Sequence, residues 1–228
     1  MSQHIFAKCS SCGASCEIPA YNIINVKDHP ELKEKVKDGS MFVWACPKCG
    51  KINLAAFQTL YHDPDEKLMI WLMPDTLSDS EKIAVEQHMK AISDQLSSNE
   101  NNDLLKGYTL RRVKDAGSLI EKVNIFDTGL DDVAVEMCKY ITRMEIAEKV
   151  SDKDKVSVIM HAPFKFYKMD GADNDITLTY PSEGKMEGVQ IGFNVYEDCR
   201  GIIKRNPDVI PAPGFAIVDS EWLATKMR

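Results

Sequence analysis

Cys9-Ser10-Ser11-Cys12-Gly13 and Cys46-Pro47-Lys48-Cys49-Gly50 repeat one spacing: two cysteines separated by two residues and followed by glycine. That spacing lets the backbone wrap a tight turn that aims both sulfurs at one centre. Glycine after the second cysteine permits the positive φ that relieves crowding in such a turn. Neighbouring backbone N–H groups then hydrogen-bond the thiolates and spread their charge. Two such knuckles facing each other supply four sulfurs, the donor set that tetrahedral Zn2+ accepts at roughly 2.3 Å. The predicted metal ligands are Cys9, Cys12, Cys46 and Cys49. Four thiolates leave no coordination position open, so the expected Zn2+ is structural and its binding contributes directly to folding stability.

The 33 residues between Cys12 and Cys46 exceed the ~15–20 common between such pairs. A helix accounts for the extra length. His29-Pro30-Glu31-Leu32-Lys33-Glu34-Lys35-Val36 reads as helical, with Asp28 as N-cap, Pro30 in the first turn and Gly39 as the stop. A thiol–disulfide role fits poorly, because redox pairs sit at a helix N-terminus in a βαβ setting, whereas extended sequence flanks both pairs here. Cys16, four residues beyond Cys12, is either a substitute ligand or a spare thiol; with two complete pairs present, a partly buried free cysteine is the favoured reading.

Outward from the knuckles, Met41-Phe42-Val43-Trp44-Ala45 and Leu68-Met69-Ile70-Trp71-Leu72 have the length of buried strands. Ser78 with Glu81 forms a capping-box pattern opening a helix to about Leu96, with Val85, Met89, Ile92 and Leu96 on one face. Ser97-Ser98-Asn99-Glu100-Asn101-Asn102-Asp103 is the most polar segment and reads as a linker. Beyond it, a strand is expected at Tyr108 to Val113, a helix capped by Ser118 and Glu121, and a longer helix from about Leu130. Val156-Ser157-Val158-Ile159, Phe164-Lys165-Phe166-Tyr167, Ile176-Thr177-Leu178-Thr179-Tyr180 and Val189-Gln190-Ile191-Gly192-Phe193 read as strands of a small antiparallel sheet, and Ser220 to Met227 as a closing helix. The expected organisation is α+β: a zinc-ribbon-like antiparallel β-domain over 1–75, a bridging helix and linker over 76–106, and helices plus a small antiparallel sheet over 107–228.

The 228 residues are 44% hydrophobic and 28% charged, ordinary for a globular protein. No run approaches the ~18–20 apolar residues of a membrane span, so no membrane partner is expected. The start MSQHIFAKCSSCG lacks the charged-then-apolar pattern of an export signal, which points to the cytoplasm. In that compartment seven cysteines, four of them in two spaced pairs, favour metal over disulfides. Residues 1–60 carry a net charge of +2 and the remainder −9. Nucleic-acid affinity depends on Lys and Arg displacing counterions, so the acidic bulk disfavours a general DNA or RNA binder and leaves room only for a local contact.

Other candidate groups carry less. Cys138 lies beside an apolar helical stripe, as a small buried hydrophobe does. Cys199, next to Arg200, has no histidine partner in sequence and reads as inert. His4, His29, His62, His88 and His161 show no ligand-like pairing; Tyr61-His62-Asp63 reads as a surface turn rather than a carboxylate–imidazole pair. The acidic run Asp127-Thr128-Gly129-Leu130-Asp131-Asp132 reads as helix capping in preference to a divalent-cation site. Arg111 and Arg112, adjacent on a strand, point to opposite faces. Phosphate-loop, nucleophile-elbow and metalloprotease patterns are missing from the sequence.

The knuckles, the segment His29 to Phe42 between them, Tyr61-His62-Asp63 and the strand Lys67 to Leu72 together resemble the CpXC family of bacterial proteins, named for two Cys-Pro-x-Cys motifs. Leu119-Ile120-Glu121-Lys122-Val123, Asp127 to Asp132 and Lys139-Tyr140 resemble the part that follows the linker in longer members. The first knuckle has Ser10 where the family name implies proline, a change that leaves the ligands intact. The resemblance covers most of residues 5–145 and implies a zinc-ribbon-like domain; the family has no established activity.

Three functions remain open on sequence grounds. A closed metal site, an acidic body and no catalytic constellation favour a non-catalytic, protein-binding adaptor with another protein as partner. A zinc-ribbon nucleic-acid factor is the alternative. A metal-dependent enzyme with its site in the C-terminal half is third.

Overall fold

Short apolar runs between turn residues become strands in a computed structural model, which describes residues 2–55, 57–98 and 106–227. The chain divides into two units: 1–120 with 212–217, and 121–211 with 218–228.

In the first unit, strands β1 (Ser2–Lys8) and β2 (Ser15–Tyr21) form an antiparallel ribbon around the first knuckle. After β3 (Ile23–Asn25) comes helix α1 (Glu31–Lys37), whose Leu32 and Val36, one turn apart, are both buried. No side chain caps α1: Pro30 occupies the N-cap position, and Asp28 accepts a hydrogen bond from Asn25 Nδ2 at 2.6 Å instead of capping as expected. Gly39, at φ 78°, ends the helix region as expected. The run Met41 to Ala45 is part helix, part strand: residues Ser40–Phe42 make a 3-10 turn and only β4 (Val43–Ala45) is extended, pairing antiparallel with β5 (Ile52–Leu54) around the second knuckle.

Strands β6 (Thr59–Asp63), β7 (Leu68–Leu72) and, after helix α2 (Asp79–Ser98), β8 (Thr109–Val113) complete a four-stranded sheet in the order β3-β6-β7-β8. Its centre is antiparallel, β6 to β7, and its outer pairs are parallel. Leu68, Met69, Ile70 and Leu72 are all buried, as an interior strand requires. The pairing of β8 with β7 places it in the first unit. The capping box of α2 is present: Glu81 Oε2 accepts from Ser78 N at 2.8 Å, and Ser78 Oγ accepts from Glu81 N at 3.4 Å. Ser97 and Ser98 end α2, and the rest of the expected linker lies outside the described residues.

Helix α3 (Ala116–Asp127) runs into the second unit. It begins two residues before the expected Ser118, because Asp115 accepts from both the backbone N–H and the hydroxyl of Ser118, at 2.8 and 3.0 Å. Helix α4 (Asp132–Glu148) follows, capped by Asp131, whose side chain accepts from Val133 N and Ala134 N. Val156 to Ile159, expected as a strand, belongs to helix α5 (Lys153–His161). Asp152 caps it, accepting from Asp154 N at 2.9 Å, and this start signal outweighs the β-branched alternation. Strands β9 (Lys165–Asp170), β10 (Asp175–Ser182) and β11 (Lys185–Ile191) form the antiparallel sheet, with β10 central. Helix α6 (Phe193–Arg205), absent from the sequence reading, and α7 (Ser220–Lys226) complete the unit. The protein is thus α+β, and no helix among its described residues is long and apolar enough to cross a membrane.

Candidate metal centre

The two knuckles adopt one conformation. In the first, Cys9 N donates to Ala14 O at 2.9 Å and Gly13 N to Cys9 O at 3.0 Å; in the second, Cys46 N donates to Lys51 O at 2.9 Å and Gly50 N to Cys46 O at 2.8 Å. Gly13 and Gly50 take φ of 68° and 72°, so both glycines perform the role their position after the cysteines requires. Antiparallel ribbons on either side, β1–β2 and β4–β5, fix each turn.

The four sulfurs of Cys9, Cys12, Cys46 and Cys49 lie within 4.8 Å of one another. Close approaches run across the knuckles: Cys9 to Cys49 is 3.6 Å and Cys12 to Cys46 is 3.7 Å. A tetrahedron with metal–sulfur bonds of roughly 2.3 Å has sulfur–sulfur edges of roughly 3.8 Å, so the donor set fits a single metal ion. The same spacings are far beyond a disulfide bond of about 2.05 Å. Cys9 and Cys46 are buried, while Cys12 and Cys49 face solvent.

Electrostatics explain why such a set suits a cation. The Cys12 N–H, helped by that of Ser11 and by Cys49 and Asn53, lowers the Cys9 thiol to about 6 despite desolvation. At Cys46, desolvation opposes ionisation but the N–H groups of Cys49 and Lys48 win, and the pKa falls. Cys49 goes the other way: the Lys51 N–H favours its thiolate, yet desolvation and the neighbouring sulfurs push it up to about 12. The surroundings therefore favour the thiolate at Cys9 and Cys46 and oppose it at Cys49. A positive ion at the centre removes that conflict, because its charge favours every thiolate at once.

Sequence reasoning missed Asn53 on β5. Its Oδ1 accepts from Ser10 N at 2.8 Å and Ser10 Oγ at 2.9 Å, while Nδ2 donates to Lys51 O at 2.8 Å and lies 3.6 Å from Cys9 Sγ. One buried amide thereby ties the second ribbon to the first knuckle and steadies a sulfur, the usual work of an outer-shell partner. Trp44, paired with Asn53 across the ribbon, packs against the buried Cys9, Cys16 and Cys46. Cys16 lies in that packing outside the four-sulfur group, and burial followed by its proximity to Cys46 raises its pKa.

The remaining candidates are placed elsewhere. Tyr61-His62-Asp63 is not a surface turn but strand β6, with Tyr61 and Asp63 buried. Asp63 pairs with Lys33 at 3.1 Å and accepts from Tyr61 Oη at 3.3 Å, whereas His62 Nε2 sits 3.1 Å from Tyr108 Oη. In the acidic run, Asp131 caps α4 as expected, but Asp132 is fully buried and 2.8 Å from Lys122 Nζ. Cys138 and Cys199, read separately in sequence, meet at 3.5 Å between α4 and α6, both fully buried.

The geometry defines an α+β protein with a two-knuckle, four-cysteine cluster compatible with a metal site. Comparison with family sequence models matches residues 7–139 to the family described as CpXC protein. The match covers more than half of the chain and spans both knuckles, and the chain belongs to that family. No curated protein and no solved structure matches it.

Proposed function

We propose that this chain is a non-catalytic zinc protein, in which Cys9, Cys12, Cys46 and Cys49 hold one structural Zn2+ and the domain so locked serves as an adaptor for another protein in the cytoplasm. The carrying observation is the convergence of four sulfurs within 4.8 Å at near-tetrahedral spacing. All-sulfur ligation of a divalent ion in a tetrahedral set favours Zn2+ over the oxygen-seeking ions, and it leaves no position for substrate. The acidic balance of the chain, −7 overall, ranks a protein partner above nucleic acid.

Elemental analysis of purified protein tests the metal: one zinc per chain, lost together with reactivity protection of four thiols on chelation, is the expected result. A stoichiometric partner recovered by affinity purification, with no salt-dependent binding to random DNA or RNA, is expected for the adaptor role. Binding to random nucleic acid at low salt in place of a protein partner would return the reading to a nucleic-acid factor, and a second exchangeable divalent ion would favour an enzyme.

A further inference from the structure

The ribbon β4–β5 has two unlike faces. Register pairs Val43 with Leu54, Trp44 with Asn53 and Ala45 with Ile52. Strand alternation puts Trp44 and Asn53 on the inner face, where they contact the sulfur cluster. Val43, Ala45, Ile52 and Leu54 then share the outer face. All four are exposed, with Val43 at 44%, Ile52 at 58% and Leu54 at 80%. Among the described residues this ribbon remains two-stranded, so it ends in open edges as well as an open apolar face. An apolar face on a ribbon pinned from behind costs the protein solubility unless it meets something.

The segment that carries the face lacks acidic side chains. From residue 39 to residue 62 the chain carries no Asp or Glu, although it has 35 of them in all; apart from the sulfur ligands Cys46 and Cys49, the charged side chains there are Lys48 and Lys51. Both lysines are exposed on the turn joining β4 to β5, and neither joins an ion pair among the described residues. Facing two copies of this ribbon would oppose lysine to lysine, which disfavours self-association through it.

We infer that the outer face of β4–β5 is a docking surface for an extended acidic segment of another protein, with apolar side chains at alternate positions meeting Val43, Ala45, Ile52 and Leu54 and flanking carboxylates meeting Lys48 and Lys51. The inference rests on the adaptor reading and gives it a place and a partner chemistry. Added-strand recognition supplies the form: main-chain bonds to an open edge give affinity, and alternate side chains on the face give selectivity.

The test is selection from a random twelve-residue peptide library against the full-length, zinc-loaded chain, followed by anisotropy titration of the recovered peptides at low and moderate salt. The expected peptides alternate apolar residues and carry excess Asp and Glu. Their affinity should fall at least tenfold in Ile52→Ser/Leu54→Ser, and Lys48→Glu/Lys51→Glu should weaken binding and flatten its salt dependence. Ile52 and Leu54 are exposed and lie outside the sulfur ligands, so zinc content and far-UV circular dichroism should stay unchanged in Ile52→Ser/Leu54→Ser. Recovery of acidic peptides that bind Ile52→Ser/Leu54→Ser as well as the parent overturns the surface while leaving the adaptor reading in place. Basic peptides, or a dimer in sedimentation that Ile52→Ser/Leu54→Ser dissolves, overturn the partner chemistry. Failure to recover any peptide, together with binding of random single-stranded oligonucleotides, overturns both readings.

Discussion

The sulfur cluster of the first unit and the charge cluster of the second gather ionisable groups by different chemistry. At the knuckles, two two-stranded ribbons bring four sulfurs together at one point. In the second unit, α3, α4 and β9 bury Glu121, Lys122, Asp132, Glu136 and Lys139 almost completely. Lys139 meets Glu121 at 2.9 Å and Glu136 at 2.5 Å, Lys122 meets Asp132 at 2.8 Å, and Lys165 meets the other oxygen of Glu121 at 2.9 Å. Glu121 also accepts from Phe166 N at 2.8 Å. Burial opposes the charge on Glu121, but Lys139, Lys165 and Lys122 prevail and hold its carboxyl at about 2. Lys139 is likewise held protonated against burial, chiefly by Glu121 and Glu136. The contrast is between like groups spaced to suit a cation and opposite groups that neutralise one another. One cluster should respond to chelators and the other to pairwise mutation and acid.

Chelation or Cys46→Ser should have the largest effect. Apparent zinc-binding energies in small structural sites are on the order of 10 kcal/mol, enough to unfold both ribbons. Amide exchange should accelerate across β1, β2, β4 and β5 while β9–β11 stay protected. Equal loss of protection in both regions would erase the contrast. Lys139→Met should come next, costing about 3–5 kcal/mol because two buried carboxylates each lose one of their cationic partners. Urea denaturation measures it, and a smaller loss in the double variant Lys139→Met/Glu121→Gln would show that the orphaned charge causes the damage.

Asn53→Ala should leave the fold in place and weaken metal affinity by about 10–100-fold, as removal of outer-shell partners does. Competition with a chromophoric chelator reads this directly. The mildest effect is in acid. Since the folded pKa of Glu121 lies below its unfolded value, its stabilisation is complete above the unfolded value of about 4.3 and is lost as pH falls from there through about 2. Denaturation curves across that window should show an acid limb in the second unit that Glu121→Gln flattens.

Both knuckles and the strand Leu68–Leu72 were legible because their signals are local: a spacing, a glycine and an unbroken apolar run. The start of α2 was legible for the same reason, since Ser78 and Glu81 bond each other within one turn. Asn53 was not, because its value depends on Ser10 and Cys9, more than forty positions away in the chain. The buried charges on α4 were hidden by the rule that charged residues face water; Asp132, Glu136 and Lys139 break it together, and only the fold brings Glu121, Lys122 and Lys165 to meet them. Helix α6 escaped notice because Tyr196 and Cys199 are its only buried side chains and Gly201 interrupts its pattern.

Cobalt substitution tests the central claim most directly. Titrating the metal-free chain with Co2+ should give an intense near-ultraviolet sulfur-to-metal band and visible transitions typical of a tetrahedral site, saturating at one equivalent per chain and weakened by substitution of any one of Cys9, Cys12, Cys46 or Cys49 but not of Cys16. A pale, octahedral spectrum without the sulfur band, or one that depends on Cys16, would contradict the account.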